Sequence, residues 1–180
     1  MEYPGAMSVF CDGRTYRDTV AMERFARRNA RRGSTEARQP NDGRFTVVRD
    51  LTEWMSRHAH EVEKFCMFFD TAEQAQAALP RFRALAGAEV VQGSPDNIEL
   101  TAQGVDKGTA LLALADLLHI PREATVAVGD SENDRAMLEK AGIAAVMANG
   151  MPHIQALADL VSTNDCDHDG VAELFERLGL

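Results

Sequence analysis

Three side chains in the second half of the chain have types and spacing that could handle a phosphorylated ligand. Residues 124–134 read Ala-Thr-Val-Ala-Val-Gly-Asp-Ser-Glu-Asn-Asp. An apolar run breaks at Gly129, the Asp130 carboxylate follows at once, and Ser131 opens a segment rich in oxygen ligands. In an open parallel sheet the carboxyl ends of the strands form the ligand crevice, which predicts Asp130 at its lip. Asp130 and Asp134 are hard oxygen donors suited to Mg²⁺, an ion that keeps several waters and joins a carboxylate to a substrate phosphate. The same residues also read as a plain strand–turn–helix joint, with Ser131 as N-cap and Asp134 three residues on, as in a capping box. Lys107 stands at a second predicted helix start, after Val105-Asp106 and before Gly108-Thr109. Backbone N–H groups and the helix dipole already favour an anion there, and an ammonium adds a compact charge for a phosphate oxygen. A lysine at such a place also serves simply as a solvent-facing residue.

The elements that must position these residues follow from periodicity. After residue 104 helix and strand alternate regularly. Helices are predicted over 109–118, 132–140, 152–158 and 171–178, and buried strands over 125–128 and 143–147, with a stub at 160–161. Leu111, Leu112, Leu114, Ala115 and Leu118 are predicted to face inward. Short apolar runs with helices between them indicate parallel βαβ units. The first hundred residues differ. A strand over 6–11, the hairpin signal Asp12-Gly13 and a return strand over 14–17 lead into a helix over 19–30. Strands are predicted over 45–48, 63–69, 88–92 and 98–101, with a helix over 72–86 that Pro80 would bend or break. Residues 27–44 carry four arginines within six residues and then Gly33, Ser34, Pro40, Asn41, Asp42 and Gly43, which reads as a solvated helix end and a loop. The expected class is α/β, with an α+β module over 1–100 and part of a Rossmann-like sheet over 101–180.

Composition narrows the function. The 180 residues carry a net charge of −9, which argues against nucleic acid or an anionic membrane as partner and requires a local cation or metal for any anionic substrate. Cys11, Cys66 and Cys166 are odd in number and widely spaced, as in reduced thiols of a cytoplasmic protein. No apolar stretch reaches membrane-spanning length, and Met1-Glu2-Tyr3-Pro4 reads unlike a signal peptide. His58, His60, His119 and His153 show no metal-ligand spacing.

Several motifs occur in one order: Ile98-Glu99-Leu100, Gly104-Val105-Asp106-Lys107-Gly108, the leucine-rich segment 111–118, Gly129-Asp130-Ser131-Glu132-Asn133-Asp134, Met147-Ala148-Asn149-Gly150, Ala158-Asp159 and Asp169-Gly170-Val171-Ala172. That order and spacing resemble the C-terminal part of a Cof-like sugar phosphatase of the haloacid dehalogenase superfamily, closely over 97–180 and loosely over 1–96, where the likeness is to the family's inserted α+β cap. The resemblance implies a partial Rossmann-like core with a cap, and Mg²⁺-dependent hydrolysis of a small phosphorylated metabolite. It implies that Lys107 holds the transferring phosphoryl group, that Asp130 binds Mg²⁺, that Asn133 contacts the substrate phosphate, and that Asp134 supports metal and lysine. In that family an aspartate attacks phosphorus to form an aspartyl-phosphate, and a second aspartate two residues later protonates the leaving group.

The departure from the family is as informative as the match. The family carries its Asp-x-Asp on a first strand ahead of the cap, and no apolar strand ending in Asp-x-Asp precedes residue 105 here. The chain reads as beginning inside the cap. Asp167-His168-Asp169-Gly170 has the spelling of the nucleophile motif, but it follows the polar Ser162-Thr163-Asn164-Asp165. It therefore reads as a loop, with Asp169 as N-cap of the last helix. Three explanations follow: a truncated chain whose nucleophile strand lies upstream, a remnant that binds phosphorylated ligands without turnover, or a site completed by another chain. In each case hydrolysis by the chain as given is expected to be negligible. The strand over 125–128 would pair with the missing one, so its free edge is expected to favour self-association.

Overall fold

The computed structural model describes residues 5–31 and 45–180. The glycine-rich part of the arginine segment, residues 32–44, and the first four residues lie outside them. The described chain forms two compact units, one made of residues up to Val90 with Ser94–Gln103, the other of Val91–Gly93 with Gly104–Leu180.

The first unit is built on a six-stranded mixed sheet of order β3-β2-β1-β4-β6-β5. Strands β1 (Gly5–Cys11) and β2 (Arg14–Asp18) form an antiparallel hairpin. Asp12 and Gly13 both take positive φ, which matches the turn to the twist of the strands. Helix α1 (Thr19–Arg31) follows β2 directly, and β3 (Phe45–Val48) then pairs parallel to it. Strand β4 (Val62–Phe69) lies antiparallel to both β1 and β6 (Asn97–Ala102), and β5 (Ala88–Val91) closes the far edge. Alternation along β4 sends Phe65, Met67 and Phe69 to the face covered by α3 (Ala72–Arg83), where Ala75, Leu79, Phe82 and Ile98 complete the core. Pro80 stands inside α3 without ending it.

Two features of this unit differ from the sequence expectation. Helix α2 (Leu51–His58), capped by the Asp50 carboxylate, was not predicted. Nor is the arginine run wholly solvated: Arg28 turns inward and pairs with the buried Asp96 at 2.6 Å. The ion pair satisfies a carboxylate that burial would otherwise penalise.

The second unit carries a three-stranded parallel sheet of order β7-β8-β9, formed by Val126–Gly129, Ile143–Val146 and Leu160–Val161. Around it stand α4 (Lys107–Leu117), α5 (Arg135–Lys140), α6 (Pro152–Gln155) and α7 (Gly170–Leu178). Ala127, Leu138, Ala144, Val146 and Ile154 make the larger core cluster, and Ala145, Met147 and Leu174 the smaller. The predicted helix over 132–140 divides into a 3₁₀ turn at Glu132–Asp134 and then α5. Only Ala115 of the five positions predicted to face inward from α4 is fully buried; Leu111 and Leu112 are half-buried, and Leu114 and Leu118 are 54% and 57% exposed. Val126 and Val128 are likewise half-buried. Val128 packs against Ala145, Met147 and Leu174, and β7, the outer strand of the described sheet, has a strand partner among the described residues only on its β8 side.

Candidate functional site

The C-terminal end of β7 sets the site. Gly129 ends the strand, and a Cβ there would lie 2.9 Å from Asp134 Oδ2, so only glycine lets the Asp134 carboxylate fold back over the chain. That oxygen accepts hydrogen bonds from the backbone N–H groups of Asp130 at 3.0 Å and Ser131 at 3.2 Å. With the Ser131 side chain accepting from the Asp134 backbone, these bonds form a capping box. The second oxygen, Oδ1, accepts from Lys107 Nζ at 2.5 Å. Asp134 is 92% buried by side chain, so desolvation pushes its carboxyl upward. The Lys107 ammonium and the Asp130 and Ser131 N–H groups outweigh that, and the net shift is below the ordinary carboxylate value. Asp134 is therefore an ionised, fully engaged carboxylate that anchors Lys107.

Asp130 is arranged differently. Its backbone is tied on both sides, by its N–H to Asp134 and by its carbonyl, which accepts from Met151 N at 2.9 Å. Its half-buried carboxylate has no hydrogen bond or ion pair among the described residues. Asn133 receives the Ser131 hydroxyl on Oδ1 at 2.9 Å, which leaves its amide N–H groups without a protein acceptor there. A held backbone with an uncommitted carboxylate, an uncommitted amide and a nearby ammonium can bind an oxyanion and a hard cation together. Among the described residues no three His, Cys, Asp or Glu side chains gather into a closed metal cage. Mg²⁺ needs none, since one or two carboxylates, water and substrate phosphate commonly complete its shell. The donor set at Asp130 fits such an ion.

The loop has one further partner that spacing in the sequence did not reveal. Glu132 accepts from Arg135 Nε at 2.8 Å and meets His153 Nε2 of α6 at 2.7 Å. The Arg135 guanidinium, aided by His153, holds the Glu132 carboxyl below its ordinary value against partial desolvation. The contact spans 21 residues, so no local pattern signals it.

Asp167-His168-Asp169 lies in the exposed loop between β9 and α7, tied to the segment after β8 by the Cys166 N–H, which donates to Asn149 Oδ1 at 3.0 Å. Asp169 occupies the N-cap position of α7, but its backbone is left-handed and its side chain makes no capping bond, contrary to expectation. The loop is held from Asp165 instead, whose carbonyl accepts from Gly170 N and whose carboxylate meets His168. His168 is exposed, as are His60, His119 and His153, while His58 is half-buried against Trp54. No helix among the described residues is long and apolar enough to cross a membrane.

A family model for haloacid dehalogenase-like hydrolases matches residues 9–175. Among curated proteins, the chain is 39% identical over 106 residues to phosphatase YwpJ of Bacillus subtilis, a match covering 59% of this chain and 37% of that protein. It is 33% identical over 124 residues to the HMP-PP phosphatase of Cronobacter sakazakii, covering 68% and 46%. Among solved structures, a haloacid dehalogenase-like hydrolase from B. subtilis superposes with a TM-score of 0.74 at 27% identity, over 97% of this chain and 65% of that one. The chain thus spans less than half the length of these two curated relatives. A match that runs through both units, together with a β7 loop of this geometry, carries one conclusion: the chain belongs to the haloacid dehalogenase-like hydrolases.

Proposed function

We propose that this chain holds the metal- and phosphate-binding half of a phosphomonoester hydrolase site for a small phosphorylated metabolite, such as a sugar phosphate. The observation that carries the reading is the contrast between the two carboxylates. Asp134 is consumed by Lys107 and two backbone N–H groups, while Asp130 stands uncommitted beside them. On this reading Asp130, with Asp134 behind it, holds Mg²⁺, which supplies charge neutralisation at the phosphoryl oxygens. Lys107 binds one of those oxygens, and its bond to Asp134 fixes where the ammonium stands. Asn133 donates its amide to another oxygen of the same phosphate. On this reading residues 1–100 correspond to the cap module of the haloacid dehalogenase family.

Among the described residues no strand ends in Asp-x-Asp, the motif that would carry the attacking carboxylate. Without that carboxylate the chain binds phosphorylated ligand and releases it unchanged. The phosphatase names of the relatives support the reaction class. The unpaired cysteines support a reducing, cytoplasmic setting. The test is ³¹P NMR titration with inorganic phosphate in the presence of Mg²⁺, beside an assay on p-nitrophenyl phosphate. Phosphate binding that needs Mg²⁺ and disappears in Asp130→Asn, with negligible hydrolysis, is the expected pair of results. Hydrolysis abolished by Asp169→Ala would overturn the reading and move the chemistry to the α7 loop.

A further inference from the structure

Helices α4 and α5 exchange two ion pairs in opposite directions. Lys107, the first residue of α4, reaches Asp134, just before α5. Lys140, the last residue of α5, reaches back to Asp106, the N-cap of α4, with Nζ 3.1 Å from each carboxylate oxygen. Asp106 is held in turn by Thr109, whose backbone N–H donates to it at 2.6 Å and whose hydroxyl accepts from the Asp106 N–H at 3.0 Å. Between the two pairs the helices touch backbone to backbone. A Cβ on Gly108 would fall on the Ala136 carbonyl group, 2.5 Å from its carbon, and 2.7 Å from Lys140 Cδ. The far end of α5 is pinned as well, because the Arg122 guanidinium donates to the carbonyls of Lys140 and Ala141.

A six-residue helix cannot flex between such attachments, so the position of its last residue fixes that of the turn before its first. We propose that Lys140 and Asp106 are positioning residues for the phosphate-binding site: their ion pair fixes the register of α4 against α5 and so sets the Lys107 ammonium at Asp134. Neither residue touches the ligand. The inference rests on the phosphate-binding reading above for its consequence, but its geometric part stands apart from it. Asp106 does two jobs, capping α4 and receiving Lys140, and only the second needs its charge.

The chain contains three lysines, Lys64, Lys107 and Lys140, each in an ion pair. Their side-chain NMR signals, from lysine labelled at Cε and Nζ, are therefore few enough to assign by single substitution. Lys64, paired with Glu99 in the other unit, is an internal control. In Lys140→Met, which keeps the apolar stem, the Lys107 signal is expected to shift and the Lys64 signal to stay. Affinity for inorganic phosphate with Mg²⁺ is expected to fall about tenfold, less than the ~10²-fold that a 1 Å misplacement can cost a catalysed rate. Lys140→Arg should restore both. Asp106→Asn retains a capping side chain and should reproduce the Lys140→Met result should that variant fail to fold. A Lys107 signal and phosphate affinity unchanged in both variants would overturn the inference while leaving the functional reading intact. If the wild-type chain binds no phosphate, the functional reading fails, and the Lys107 signal alone then decides whether the two residues position that ammonium.

Discussion

Gly108→Ala sets two known effects against each other. By intrinsic propensity an alanine is better than glycine inside a helix by about 1 kcal/mol, and less than that this close to a helix start. The structure opposes that gain. The new Cβ would sit 2.5 Å from the Ala136 carbonyl carbon, where carbon contacts ordinarily lie at about 3.5–4.0 Å. Because the obstacle is backbone, no rotamer change relieves it, and α4 must move away from α5 by about 1 Å. Overpacking of this kind costs about 1–3 kcal/mol. The net expectation is a loss of about 1–2 kcal/mol, seen as a lower urea midpoint by circular dichroism. The same displacement carries Lys107 Nζ out of hydrogen-bond reach of Asp134, so Mg²⁺-dependent phosphate binding should weaken with stability. A midpoint equal to or above wild type would refute the close-packing argument. A lower midpoint with phosphate affinity intact would refute the link between this contact and Lys107.

Lys107→Met should abolish phosphate binding and lower stability by about 1 kcal/mol, well short of the ~3–5 kcal/mol for breaking a fully buried pair, because the lysine is half-exposed; a loss of several kcal/mol in urea melts would mean that the pair is chiefly structural. Asp130→Asn should eliminate a Mg²⁺ affinity that is on the order of millimolar in the free chain, since few protein ligands replace the waters; micromolar binding that survives the substitution would place the ligands elsewhere. Glu173 accepts from the Thr163 and Asn164 N–H groups, which hold its carboxyl down to about 2 from 4.5. Its folded value lies below its unfolded one, so its contribution is complete above the unfolded value and is lost as pH falls through about 2. The thermal-midpoint gap between wild type and Glu173→Gln should therefore be constant near neutrality and close over that acid window; a gap that persists at the acid end counts against the assignment. The outer edge of β7 and the exposed Leu114, Leu117 and Leu118 of α4 should drive concentration-dependent self-association in sedimentation; a monomer at all concentrations, with strong amide protection along Val126–Gly129, would contradict this.

What could be read from the sequence depended on distance along the chain. Hairpin β1–β2 was legible because Asp12-Gly13 and its flanking strands are contiguous, and the parallel units of the second half were legible from short apolar runs. Helix α2 was missed although Leu51, Trp54, Met55 and His58 have helical spacing behind the Asp50 cap; its polar residues hid a short apolar stripe that packs Trp54 between Tyr16 and His58. The orientation of α4 failed for the opposite reason. Leu111, Leu112, Leu114, Leu117 and Leu118 ring most of the helix, so spacing could not say which side is covered, and the structure covers the side that faces α5. The long-range pairs were invisible. Lys107–Asp134, Lys140–Asp106 and Glu132–His153 lie 27, 34 and 21 residues apart, and only the fold brings them together.

The capping reading and the chemical reading of residues 130–134 are not competitors. The sequence poses them as alternatives because both need an acidic residue three positions after Ser131. In the structure Ser131 and Asp134 share the capping box, and the Asp130 carboxylate takes no part in it. A helix start left to itself would draw the nearest carboxylate onto its free N–H groups. Here the N–H groups of Asp130 and Ser131 are already occupied by Asp134 Oδ2, and Lys107 occupies Oδ1. The Asp130 carboxylate itself makes no hydrogen bond or ion pair among the described residues. Removing Asp134 would thus cost more than one ligand. Its loss would release Lys107 and leave the N–H groups of Asp130 and Ser131 without the acceptor that holds the turn.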